Sequence, residues 1–298
     1  MSRPRQILPG STYLVTRRCA QRLFLLRPSR TVNQVFAFCT AVAAQKFGLL
    51  VHSLTVLSNH FHAVLTDPQG NLPRFMAWLD LFVAKALNAD YGRWENFWAP
   101  GSYSAVRLVT QDDVLAELVY CLTNPVAAGL VARAHKWPGL TTAALRPGNT
   151  ISAARPERFF RDKGPLPESA VLQITRPPGF DHLSDDQFFD LLEQHVAERE
   201  DQIRSDFRSQ GRRFAGVHAL RRLKPTDSPN TREPRRKLNP RIACKDPGRR
   251  VEALDQLKAF ETAYREALLR WRAGDKEVQF PLGTYYLRLH AGVKCRSG

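Results

Sequence analysis

Apolar residues recur along the first half of the chain with two distinct periods, and their alternation lays out an order of elements. Ser11 to Arg18 follows Pro9-Gly10 and is rich in β-formers, which predicts a strand. From Thr31 to Phe47 the apolar positions Val32, Val35, Phe36, Cys39, Val42 and Ala43 return every three or four residues, and Gly48 supplies a stop. That is the period of one helix face. Leu49 to Leu57 and Phe61 to Thr66 are short apolar runs split by Ser58-Asn59, the pattern of a hairpin. Leu72 to Ala89 is helical again, with Phe75, Leu79, Phe82, Val83, Ala86 and Leu87 on one side. Ser102 to Val109 reads as a strand. Asp112 to Leu122 reads as a helix with acidic residues where they complement its dipole, and Pro125 sits near its end. The order β-α-β-β-α-β-α contains the ferredoxin-like (RRM-like) arrangement. The predicted class is α+β: an antiparallel sheet with helices on one face and the other face open to a ligand.

Past Pro147 the pattern changes, and a boundary is drawn near residue 150. Residues 1–150 form the motif-bearing domain and residues 151–298 a C-terminal extension. Residues 151–200 carry four prolines between Pro165 and Pro178, with 6 basic against 10 acidic residues. Residues 201–250 hold 15 Lys or Arg against 5 Asp or Glu, a block that is either solvated or bound to a polyanion. Helices are predicted over Asp185 to Arg208 and Val251 to Arg272. A turn at Pro281 to Gly283 is expected to lead into a terminal strand, and the basic middle is expected to be partly unstructured.

Charge narrows the partner. A net charge of +16 in 298 residues favours a polyanion, because neutralising each phosphate releases condensed counterions. No run of about 18 uncharged apolar residues is present, and the first residues lack the apolar core of a signal peptide, so nucleic acid is favoured over a membrane. Cys19, Cys39, Cys121, Cys244 and Cys295 are scattered, with no CxxC pair. They read as reduced thiols of a cytoplasmic protein.

Chemistry can be sought at two places. On a strand His60 and His62 point to one face while Phe61 points to the other, and two adjacent imidazoles can begin a divalent-metal site. They can equally be surface histidines held by hydrogen bonds. Tyr120 and Asn124 are four apart on a predicted helix and so share a face. A phenol can attack phosphorus, and an amide oxygen can serve Mg²⁺ or Mn²⁺ as a third ligand. The bland alternatives are a core tyrosine and a helix-end asparagine.

The run Leu57-Ser58-Asn59-His60-Phe61-His62-Ala63-Val64-Leu65, followed by Tyr120-Cys121-Leu122-Thr123-Asn124-Pro125-Val126-Ala127-Ala128-Gly129-Leu130-Val131, resembles the single-tyrosine HUH transposases. The nearest branch is the REP-associated tyrosine transposases. The resemblance covers about residues 8 to 140 and includes the opening Thr12-Tyr13-Leu14-Val15-Thr16 and the aromatic stretch from Phe97-Trp98 to Tyr103. It implies that His60, His62 and Asn124 hold Mg²⁺ or Mn²⁺, and that Tyr120 attacks a scissile phosphate to give a 5′-phosphotyrosine and a free 3′-hydroxyl. It further implies nicking and rejoining of single-stranded, hairpin-flanked DNA by a bacterial, nucleoid-associated protein, whether monomer or homodimer. Ala127 departs from the relatives, which often carry a basic residue there. The alternative is a hairpin-binding regulator that has lost turnover. A free tyrosine has a pKa near 10, so forming its phenolate at pH 7 costs about 4 kcal/mol and needs assistance. His52, on the neighbouring strand, is a candidate base or a structural residue.

DNA contacts are sought at Arg93, Trp94 and Trp98, an aromatic loop suited to stacking on bases or to sealing the core. Further contacts are sought at Arg212, Arg213, Arg221, Arg222, Lys224, Arg235, Arg236 and Lys237, as an arm that tracks phosphates.

Overall fold

The computed structural model describes residues 4–161, 163–231 and 240–296. Its first half runs β1 (Ser11–Arg18), α1 (Arg30–Phe47), β2 (Leu50–Val56), β3 (His60–Asp67), α2 (Leu72–Tyr91), β4 (Ser104–Leu108) and α3 (Gln111–Ala127). The first four strands lie in the order β2-β3-β1-β4 with every neighbouring pair antiparallel, which is the ferredoxin-like arrangement. Local chemistry sets the ends. The Ser29 hydroxyl accepts from Val32 N to open α1, and Gly48 closes it in the left-handed region at φ 67°. Thr110 and Asp113 form a reciprocal capping box at the start of α3.

Alternation along the strands sorts the core into two layers. Tyr13, Val15, Phe61, Ala63 and Leu65 face α1 and α2, where they meet Phe36, Phe75 and Leu79. Leu14, Val64, Val106 and Leu108 face the other way and meet Val114, Leu118 and Leu122 of α3. That corrects the expectation of a sheet face left open. The helix carries an apolar stripe that needs burial, and the strands beneath it are apolar on that side too.

Pro125 lies in the last turn of α3, near its end as expected. With a single turn remaining, the hydrogen bond a proline forfeits is cheap, and the true stop comes at Gly129 (φ 74°). There Gly129 N donates to Val126 O and Leu130 N to Pro125 O, the paired bonds of a Schellman cap. A Cβ on Gly129 would also come within 2.9 Å of the Phe207 ring.

The composition change near residue 150 coincides with a hairpin that the sequence did not announce, β5 (Thr150–Ala154) and β6 (Ser169–Gln173). It lies on α1, and Ala153, Phe160, Ala170 and Leu172 join the α1/α2 core. The remainder runs α4 (Asp185–Ser209), α5 (Val217–Arg221), β7 (Ile242–Ala243), α6 (Pro247–Arg272) and α7 (Tyr286–His290). α4 packs on α3 through Phe188 and Leu192. β7 adds to β4 in parallel.

One expectation for this half needs correction. The segment after Gly283 is the short helix α7 and not a strand: its pairing stops at the single bridge Gln6–Thr284, and the chain then coils. Of the basic middle, the described residues 204–231 run through the end of α4, turns and α5, where Phe207 and Leu220 share a small core with Val126, Val131 and Trp137, and residues 232–239 lie outside the described residues.

Asp67 is fully buried at the end of β3, where its carboxylate accepts from Gln69 N, Asn71 N and Leu72 N at 3.3, 2.8 and 2.6 Å. Asp67→Ala strands these donors at the start of α2 and is expected to lower stability by about 3 kcal/mol. Urea unfolding reads this as a lower midpoint with unchanged slope.

Candidate active site

β3 turns Phe61 into the core, with its ring 4.9 Å from Phe36, and leaves His60 and His62 on the α3 side with ring centroids 4.9 Å apart. α3 crosses this face with Tyr120 towards the pair, its ring 5.1 Å from that of His62. The Cys121 thiol donates to the His62 carbonyl at 3.4 Å and fixes the rotation of the helix over the strand. Burial grades outward across the site. His62 is 4% exposed and Tyr120 is 45% exposed, so the phenol stands at the mouth and the imidazole behind it. Asn124 is half-buried one helical turn beyond Tyr120 on the same face.

Each imidazole has a polar neighbour that the sequence reading missed. His62 Nδ1 lies 2.8 Å from Thr16 Oγ1, its directly opposed partner on β1. His60 Nδ1 lies 2.7 Å from Asn59 Oδ1. Arg18 pairs with His60 across the ladder, and strand alternation places it on the imidazole face, while Arg17 turns to the back to bond Asp80 and the Gly101 carbonyl. The signal for Thr16 and Arg18 was a register that only the assembled sheet supplies.

Hydrogen bonds from Nδ1 hold metal-ligating histidines in orientation and leave Nε2 for the metal. Among the described residues no group of three or more His, Cys, Asp or Glu gathers to hold a metal. A divalent ion here could draw on the two imidazoles, with the Asn124 amide as a candidate third ligand on the facing helix, and so few protein ligands would leave positions open for phosphate oxygens.

His52 is excluded as a base. The extra residue at the β2 bulge, it is buried with both nitrogens engaged. Nδ1 donates to Thr175 O at 2.8 Å, so Nε2 accepts from Thr66 Oγ1 at 2.7 Å, and Thr66 in turn accepts from Thr12 at 2.7 Å. Burial pushes its pKa down to about 4, against a smaller upward pull from the Thr175 carbonyl. The unfolded chain takes up this proton below about pH 6.5 while the folded chain refuses it until about pH 4, so stability falls as pH drops through that window. At pH 5 the penalty is about 2 kcal/mol, and His52→Gln is expected to flatten the fall in melting temperature between pH 7.5 and pH 5.

The predicted DNA contacts divide. Trp94 is 95% exposed at the tip of its loop, and Arg93 pairs with Glu95 at 3.4 Å. Trp98 is 9% exposed, donates Nε1 to the Asp80 carbonyl at 2.8 Å and packs on Phe61 and Phe97. It seals the core and is not a stacking platform. Arg212, Arg213, Arg221, Arg222 and Lys224 are exposed on the segment around α5, with Arg212 stacked 3.9 Å over Phe207. Arg235, Arg236 and Lys237 lie outside the described residues. This segment is stitched to the end of α3, since Ala215 N and Gly216 N donate to the Gly129 and Leu130 carbonyls. No described helix is long and apolar enough to cross a membrane, and the five cysteines are free.

No protein-family model and no curated relative matches the chain. Among solved structures it is similar to a REP-associated tyrosine transposase bound to a REP hairpin, at 21% identity over 48% of this chain and 82% of that one, with a TM-score of 0.41. It is also similar to a putative transposase from Deinococcus radiodurans R1, at 20% identity over 36% of this chain and 85% of that one, with a TM-score of 0.28. Both likenesses are partial, so the case for function rests on the site's own residues.

Proposed function

We propose that the chain is a transposase-like endonuclease that nicks and rejoins single-stranded DNA at hairpin-flanked sites. The observation that carries this is the half-exposed Tyr120 ring standing 5.1 Å from His62, which itself lies 4.9 Å from His60. Tyr120 Oη attacks the scissile phosphorus in line. Oη gives up its proton to solvent as its bond to phosphorus forms, and the departing 3′-oxygen takes one up as its bond to phosphorus breaks, leaving a 5′-phosphotyrosine and a 3′-hydroxyl. The energy of the phosphodiester is kept, so a second 3′-hydroxyl can reverse the step on another strand. His60, His62 and Asn124 would hold Mg²⁺ or Mn²⁺, which when bound neutralises charge on the phosphate oxygens. Arg18, beside His60 on the same face, adds a fixed positive charge for the incoming phosphate. Trp94 supplies an exposed surface for an unpaired base, and the arginines around α5 offer a phosphate track that begins at the end of the nucleophile helix.

The test is a covalent-adduct assay with hairpin-containing single strands and Mg²⁺, Mn²⁺ or EDTA. A protein band shifted by the fragment on the 3′ side of the cut, which carries the 5′-phosphate, is expected with metal and not with EDTA. Salt-sensitive binding with no adduct under either metal would leave the non-catalytic regulator in its place.

A further inference from the structure

The turn before α1 carries an unusual conformation. Gln21 and Arg22 both lie in the left-handed region, at φ 51° and 59°, although neither is glycine. L side chains disfavour this region, so such a pair persists only where its surroundings hold it. The hold comes from the C-terminal extension. The Arg22 guanidinium donates to the Thr231 carbonyl and, at 3.1 Å, to Thr231 Oγ1, and Phe24 N donates to Asp227 O at 2.8 Å.

The same turn reaches the active site. Asn59 Nδ2 donates to the Arg22 carbonyl at 3.2 Å. A backbone carbonyl can only accept, so this bond fixes which end of the Asn59 amide faces His60: it is Oδ1. Oδ1 can only accept as well, so at 2.7 Å His60 Nδ1 must carry the proton and Nε2 keeps the lone pair. Each link leaves the next no choice.

We propose that Asn59 and Arg22 are positioning residues for His60, and that the segment 227–231 of the C-terminal extension locks the tautomer in which His60 Nε2 is the ligating nitrogen. The extension then does more than contact DNA: it sets the basic nitrogen of one half of the metal site. His62 is held separately, by Thr16 from within the sheet, so the two histidines are anchored by different parts of the chain. The ligand role of His60 rests on the function proposed above, whereas its tautomer does not.

The experiment uses the full chain with ¹⁵N-labelled histidine, without metal or DNA, followed by Co²⁺ titration. In the wild type, the His60 ring nitrogens are expected to show a single Nδ1–H form. Arg22→Ala and Asn59→Ala should each turn His60 into a mixture of tautomers while the His62 signals stay in place, which a general loss of fold would not permit. Each should weaken Co²⁺ binding ~10-fold or more, and the double variant should lose no more than the worse single one. Arg22→Lys, which keeps a donor for Thr231, should recover most of the wild-type signal. A His60 tautomer unchanged in Arg22→Ala, or one that moves together with His62, overturns the proposal. If the tautomer responds as expected but the wild type binds no Co²⁺ and forms no adduct, the relay stands and the metal-dependent nuclease reading falls.

Discussion

Tyr120→Phe is expected to abolish adduct formation, by at least ~10⁴-fold, while leaving the protein folded. The substitution keeps the ring that lies 5.1 Å from His62 and removes only the oxygen. Because the side chain is half-exposed, a change in stability of no more than about 1 kcal/mol is expected. Activity and melting temperature should therefore separate cleanly. Binding of the intact oligonucleotide should change little, since on the proposed reading the charge that holds phosphates comes from the metal site and the arginines and not from the phenol oxygen. Cleavage at the wild-type rate would mean that water is the nucleophile and that the tyrosine only lines the site.

The second large effect is expected at His62. His62→Ala removes a buried imidazole and leaves Thr16 facing a cavity behind Tyr120, so both metal affinity and local packing suffer. Adduct formation should drop ~10³-fold, the scale of losing one group that stabilises charge in the transition state. His52→Gln supplies the contrast. It alters a histidine on the adjacent strand whose two nitrogens are spent inside the sheet, and adduct formation should stay at the wild-type level while only the acid stability changes. Equal losses in the two variants would show that the sheet, and not the proposed metal site, had been damaged.

Much of this site was legible in the chain because its geometry follows from short periods. His60 and His62 share a face through strand alternation, and Tyr120 and Asn124 through helical spacing. The antiparallel order of the first four strands followed from the succession of apolar runs. What was hidden depended on partners distant in sequence. Nothing near Gln111 to Ala127 says which side of the sheet its stripe will cover, and Leu14, Val64 and Val106 decide it from three other strands. Trp98 belongs to the core because Asp80 offers a carbonyl from α2. The hairpin of β5 and β6 was masked by neighbouring prolines and charge, and two of its three buried residues, Ala153 and Ala170, are small, leaving only Leu172 as a large apolar signal. Pro125 marked the neighbourhood of the helix end, while the stop itself is the Gly129 cap four residues further on.

The Cys121–His62 contact couples two elements that measure length differently, and this sets where the gene can tolerate change in reading length. One residue inserted in α3 between Cys121 and its capping box would turn one end of the helix by about 100° against the other. One residue inserted in β3 would exchange its inward and outward faces and bring Phe61 where an imidazole belongs. An insertion in the exposed turn at 92–96, between α2 and β4, would shift neither phase. Length variation among working descendants of this chain should therefore gather in such turns and stay out of the short stretch that joins the capping box to Gly129.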